Sequence, residues 1–118
     1  MNPSQTKFLI VEDEILIALQ LERYLVNAGY TVCRIVGNGK DAVETARSEC
    51  PGVILMDINL QGAMDGIEAA RQIGEFSSPS VIFMTGYSDQ ALKDRALTLH
   101  PAAYLYKPVD MRLLLTVI

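Results

Sequence analysis

"VILMDINLQG", residues 53–62, decides how the chain is read. Four apolar residues in a row, Val53 to Met56, match a strand buried on both faces. The run ends on a carboxylate, Asp57, at the lip of a core, where an ionised group without a partner is costly. A strand covered on both sides needs layers above and below it, and the flanking segments supply them. "KFLIV" (7–11), "TVCRIV" (31–36), "VIFMT" (81–85) and "AYLYK" (103–107) read as four further short strands. Between them the apolar spacing turns helical. From about Asp13 to Ala28 it places Ile17, Leu21, Leu25 and Ala28 on one stripe, with Gly29 as terminator. From about Lys40 to Glu49 it turns Ala42, Val43 and Ala46 inward, with Pro51 just beyond. Further helices are predicted near Gly66, near Ser88 as an N-cap residue, and near Asp110. The alternation predicts an α/β fold: a doubly wound five-stranded parallel sheet of order 2-1-3-4-5, flavodoxin-like, with helices on both faces.

With 118 residues, half of them hydrophobic, the chain fits one domain around one core. No apolar run approaches the length of a membrane span, and "MNPSQTKF" lacks a signal-peptide pattern. Cys33 and Cys50 are isolated and read as reduced thiols. These features predict a cytoplasmic protein with no membrane partner. Net charge is −4, from 14 acidic and 10 basic residues, and the basic residues form no cluster. Nucleic acid calls for a positive stripe, so direct DNA or RNA binding by this segment is not expected.

In an open sheet of this order, ligands collect beyond the carboxyl ends of the strands, at the switch point between strands 1 and 3. Glu12 and Asp13 follow the first strand, with Glu14 behind them. Asp57 ends the third strand, Thr85 and Gly86 the fourth, Lys107 and Pro108 the fifth. Each has an ordinary reading alone: an acidic helix start, a turn-forming Asp, a β-branched strand residue, a snorkelling lysine. Their coincidence on one sheet edge points to a site. Two carboxylates about 4 Å apart repel by about 4 kcal/mol at an effective dielectric of about 20, so three cost on the order of 10 kcal/mol. Protons or cations must relieve this, Lys107 in part and a divalent ion for the remainder. Oxygen ligands without His or Cys select a hard ion, and few carboxylates with open positions suit Mg²⁺, with Mn²⁺ as substitute. A carboxylate beside such an ion can attack phosphorus, a reaction that asks the protein mainly for positioning and charge neutralisation. Asp57 is then the modified residue. Lys107, the Thr85 hydroxyl and backbone N–H groups beside Gly86 are the expected partners of the phosphoryl oxygens.

"LIVEDE", "ILMDINL", "MDGIEAA", "FMTGYSD" and "AAYLYKP", in this order and spacing, closely resemble the receiver domain of two-component response regulators, the CheY-like family. The resemblance covers essentially the whole chain. It implies that Asp57 accepts phosphate from a phosphohistidine on a sensor histidine kinase or a histidine phosphotransfer protein. It implies a metal held by Asp13 directly, by Glu12 through water, by Asp57 and by the backbone carbonyl of Asn59. Thr85 and Tyr104 match a conformational switch pair, Lys107 the family's lysine, and the Lys107–Pro108 bond is implied to be cis. Asn59 and Tyr87 match positions that tune autodephosphorylation, and the bulk of Tyr87 predicts slow-to-moderate hydrolysis. The surface of the fourth helix, fifth strand and fifth helix is implied as the face for an output domain, a partner or a homodimer. Gln61 stands where a proline is common in the family, and "NLQGAMDG" is one residue longer than the shortest versions.

His100 reads as a loop residue, and Tyr104 and Tyr106 are read as facing opposite sides of the fifth strand. The fifth helix reaches Ile118 after about two turns, so the single receiver domain, 1–118, reads as a piece of a longer regulator or hybrid kinase. Three other readings compete. An FMN carrier needs a Gly-, Ser- and Thr-rich phosphate loop after the first strand, where "VEDE" would repel phosphate. A phosphatase with an Asp nucleophile places that Asp after the first strand. A docking receiver that works without phosphorylation would not need the full set of site residues.

Overall fold

The computed structural model describes residues 6–118, so the start "MNPSQ" lies outside the described residues. The elements run β1 (Lys7–Val11), α1 (Ile15–Asn27), β2 (Thr31–Val36), α2 (Gly39–Glu49), β3 (Val53–Asp57), α3 (Gly66–Ile73), β4 (Ser80–Thr85), α4 (Gln90–Leu97), β5 (Ala103–Tyr106) and α5 (Met111–Thr116). All five strands are parallel, in the order β2-β1-β3-β4-β5. This is the predicted CheY-like, flavodoxin-like sheet.

Alternation along each strand builds two cores from one sheet, because successive side chains point to opposite faces. Phe8, Ile10, Val53, Leu55, Ile82, Met84 and Leu105 pack against Ala18, Leu21 and Leu25 of α1 and Leu114 of α5. Leu9, Val11, Ile54, Met56 and Phe83 face the other way, against Ala42 and Ala46 of α2, Ile67, Ala70 and Ile73 of α3, and Ala96 of α4. The central strand β3 is buried along its whole length, as its unbroken apolar run requires.

Asn38, Asp65, Asp89 and Asp110 cap α2 to α5, each accepting a backbone N–H of the first turn. Gly29 ends α1 in the left-handed region, φ 97°, as a helix terminator should. His100 occupies a turn at φ 52°, and the Lys107–Pro108 bond is cis. Both cysteines are free. Among the described residues no helix is long and apolar enough to cross a membrane.

Three local expectations are corrected. The first helix begins at Ile15, so Asp13 and Glu14 precede it, and its inward stripe uses Ala18 where Ala28 was expected; Ala28 is exposed. The cap of α4 is Asp89, whose Oδ1 accepts the Leu92 N–H at 3.1 Å, and Ser88 stands one residue outside. Tyr104 and Tyr106 share one face of β5, their rings meeting edge-on with centroids 5.6 Å apart. Residues two apart on a strand point the same way, so opposite facing was wrong.

Replacing Ile54, fully buried on the central strand, by Ala is expected to cost about 3 kcal/mol in urea unfolding. Leu16→Ala on α1, at a side chain 74% exposed, should stay within about 0.5 kcal/mol.

Candidate functional site

Strand register brings the carboxyl ends of β1, β3, β4 and β5 to one edge. The Glu12 N–H donates to the Val36 carbonyl, that of Ile58 to Met84 and that of Lys107 to Thr85. Glu12 continues the alternation of Phe8 and Ile10, Asp57 that of Val53 and Leu55, and Lys107 that of Leu105. All three therefore start toward the same side of the sheet, over the α1–α5 core. Thr85 follows Phe83 and has the opposite parity.

Lys107 joins the two buried acids. Its Nζ lies 2.6 Å from Glu12 Oε1 and 3.1 Å from Asp57 Oδ2. Both carboxylates are nearly inaccessible, so the ammonium meets charge that is largely shielded from water. Glu12 Oε1 accepts no well-angled hydrogen bond, and its partner is that close ammonium alone. Burial pushes the Glu12 carboxyl from the ordinary 4.5 up to about 7; Lys107 opposes the rise and Asp57 adds to it. Burial also pulls the Lys107 ammonium down, but Glu12 and Asp57 together outweigh it and leave the pKa raised. Proton and ammonium thus share the relief that crowded carboxylates demand.

One carboxylate oxygen from each of Glu12, Asp13 and Asp57 lies within 4.8 Å of the others. Asp13 is exposed while the other two are buried, so the cluster opens outward. Oxygen donors at this spacing, without a nearby His or Cys, fit a hard divalent ion. A crevice of about 360 Å³ lies over them, lined by Asp13, Asp57, Asn59, Gly86, Tyr87 and Lys107 among others. Every expected residue except Tyr104 belongs to this edge, with Glu12 and Thr85 just beneath it.

Thr85 is fully buried and points to its neighbour loop: its hydroxyl donates to Asn59 Oδ1 at 2.8 Å and accepts the Tyr87 N–H at 3.1 Å. Asn59 in turn donates its backbone N–H to Asp57 Oδ1 at 3.0 Å. Tyr104 pairs with Phe83, one step below Thr85, whose own partner across the strands is Tyr106. The Tyr104 hydroxyl is buried with no hydrogen-bond partner among the described residues, and Lys93 Nζ of α4 lies 5.7 Å from its ring centre.

Two features escaped sequence reasoning. A Cβ on Gly66 would stand 2.1 Å from the Asp57 carbonyl oxygen, so only glycine lets α3 start against the end of β3. A glycine as the first residue of a helix, a poor helix former, was the available signal. The second is the Asn59 side chain, whose bond to Thr85 joins loops 26 residues apart.

A family model of the response regulator receiver domain matches residues 8–118. The chain belongs to that family. A receiver is a regulatory domain of two-component signalling, and the expected family is thereby shown. This receiver is 34% identical over 105 residues to the transcriptional regulatory protein PdtaR of Mycobacterium tuberculosis, covering 89% of this chain and 51% of PdtaR. It is 32% identical to the chemotaxis protein CheY of Treponema pallidum, covering 94% of this chain and 78% of CheY. It superposes with TM-score 0.88 and 37% identity on the signal receiver domain of a modulated diguanylate cyclase from Desulfovibrio desulfuricans G20, covering 94% of this chain and 88% of that one. The receiver spans about half the length of PdtaR.

Gly66→Ala is expected to displace the β3–α3 loop and lower stability by about 3 kcal/mol, read by urea unfolding. The raised Glu12 pKa sets a pH dependence for the metal-free protein. The folded state holds a proton that the unfolded state releases at 4.5, so this contribution is complete below 4.5 and disappears as pH rises through about 7. With a chelator present, stability should fall across that window, and Glu12→Gln should flatten the fall. Added Mg²⁺ should restore more stability above pH 7 than below it, because the ligands must be deprotonated.

Proposed function

We propose that this receiver takes a phosphoryl group onto Asp57 and uses it to control an output partner. The single observation that carries this reading is Lys107, whose ammonium touches Glu12 and Asp57 at the floor of the crevice while Asp13 stands at its rim. An ion pair kept only for stability would have no reason to open onto solvent beside a third acid. A carboxylate oxygen of Asp57 forms the new P–O bond as the P–N bond of a donor phosphoimidazole breaks, and the electron pair leaves with the imidazole nitrogen. Lys107 then trades its Asp57 contact for a phosphoryl oxygen. The backbone beside Gly86, open for lack of a side chain, offers N–H groups to another. Glu12, Asp13, Asp57 and the Asn59 carbonyl would hold Mg²⁺, or Mn²⁺ in its place, which when bound neutralises charge on the phosphoryl oxygens.

The donor is a phosphohistidine on a sensor kinase or histidine phosphotransfer protein. Tyr87, 63% exposed over the crevice, supports the reading of a slowed hydrolytic attack on the product. Thr85 and Tyr104 lie on one face of adjacent strands, which suits a coupled switch between them. The α4–β5–α5 surface is the output face; Leu97, Tyr106 and Leu113 leave one large apolar side chain exposed on each element. An output partner is the occupant, and a second copy of the chain is the alternative.

Incubation with acetyl phosphate and Mg²⁺ should add one phosphoryl group by intact mass. The addition should vanish without metal and in Asp57→Asn. Uptake by Asp57→Asn equal to that of the wild type would overturn the assignment.

A further inference from the structure

The hydroxyl of Thr85 has one proton to donate and two lone pairs to accept with. Here the proton goes to Asn59 Oδ1 at 2.8 Å, and the oxygen accepts the Tyr87 N–H at 3.1 Å. Thr85 is fully buried, so water offers it no alternative acceptor. The hydroxyl therefore has nothing left to give a group on Asp57 unless Asn59 lets go. We propose that the side-chain amide of Asn59 is a latch, a positioning residue that holds the Thr85 hydroxyl until a phosphoryl group on Asp57 draws it away. This rests on Asp57 being the phosphoacceptor.

The wiring supports the assignment at both ends. Asn59 donates its backbone N–H to Asp57 Oδ1 at 3.0 Å, so the residue that holds the hydroxyl is itself tied to the acid. On the far side, the hydroxyl oxygen accepts from Tyr87, two residues before Asp89, the cap of α4. Moving that oxygen toward Asp57 withdraws the acceptor from the Tyr87 N–H and reaches the start of α4. Asn59 differs here from its role through the backbone carbonyl, because the latch uses the side chain and can be removed separately.

The test is a double-mutant cycle on beryllium fluoride, whose tetrahedral adduct with a carboxylate mimics a phosphoryl group, titrated calorimetrically at saturating Mg²⁺. Asn59→Ala should tighten binding about fivefold, the worth of one released neutral hydrogen bond. In a Thr85→Val background, which has no hydroxyl to hold, the same replacement should change affinity by less than about twofold. An equal effect in both backgrounds, or weaker binding by Asn59→Ala with Thr85 present, overturns the latch. Asn59→Ser, with a shorter side chain lacking the amide oxygen, takes the place of Asn59→Ala should the latter fail to fold. Wild-type protein that binds no beryllium fluoride sinks the phosphoacceptor reading and the latch with it. Wild-type binding without coupling sinks the latch alone.

Discussion

The contact of one ammonium with two buried carboxylates governs the arrangement of this molecule. Removing Glu12 and Asp57 from water is tolerable only because Lys107 follows them into the same space. The sheet delivers all three by parity: each sits at the carboxyl end of a different strand and continues the alternation that faces α1 and α5. With every acid ionised, Asp13 included, three negative charges meet one positive charge. The remaining two match the charge of a divalent cation. The upward shift of Glu12 comes first from its burial, with Asp57 adding to it and Lys107 opposing it.

Most of the fold was legible because each strand is a short apolar run that stops at a chemically distinct residue. β1, β2 and β3 begin and end where the runs do, and β4 and β5 differ by one residue at one end. Helix starts were harder. Ser88 and Asp89 are both good caps, and only the three-residue reach to the Leu92 N–H selects the second. The acids after β1 look like a helix start but belong to the turn ahead of it. The tyrosine pair obeys the two-residue period of a strand, which puts Tyr104 and Tyr106 on one face. The site's residues were legible at strand ends, since the topology alone collects those ends. Gly66 and the Asn59 side chain were not, because their meaning lies in the approach of one loop to another, which local pattern does not encode.

The helices are unequally anchored. α3 buries Ile67, Ala69, Ala70 and Ile73, whereas α4 buries only Ala96. Its other ties are half-buried Leu92 against the core, the Arg95–Asp65 pair at 3.2 Å, and Lys93 over the Tyr104 ring. An element with little buried apolar area opens and shifts at low free-energy cost. It also stands directly after the loop that Thr85 grips through Tyr87. A lightly anchored helix thus stands next to the site's switchable hydroxyl.

The depth of the central ion cluster has a bearing on ionic strength. Exposed pairs such as Arg71 with Glu68 and Glu75 lie within reach of mobile ions, which damp fields over about 8 Å at physiological salt. Glu12 and Asp57 are nearly fully buried, so their contacts with Lys107 are damped far less. Changing the salt around this receiver therefore retunes its rim more than the ion cluster at its floor.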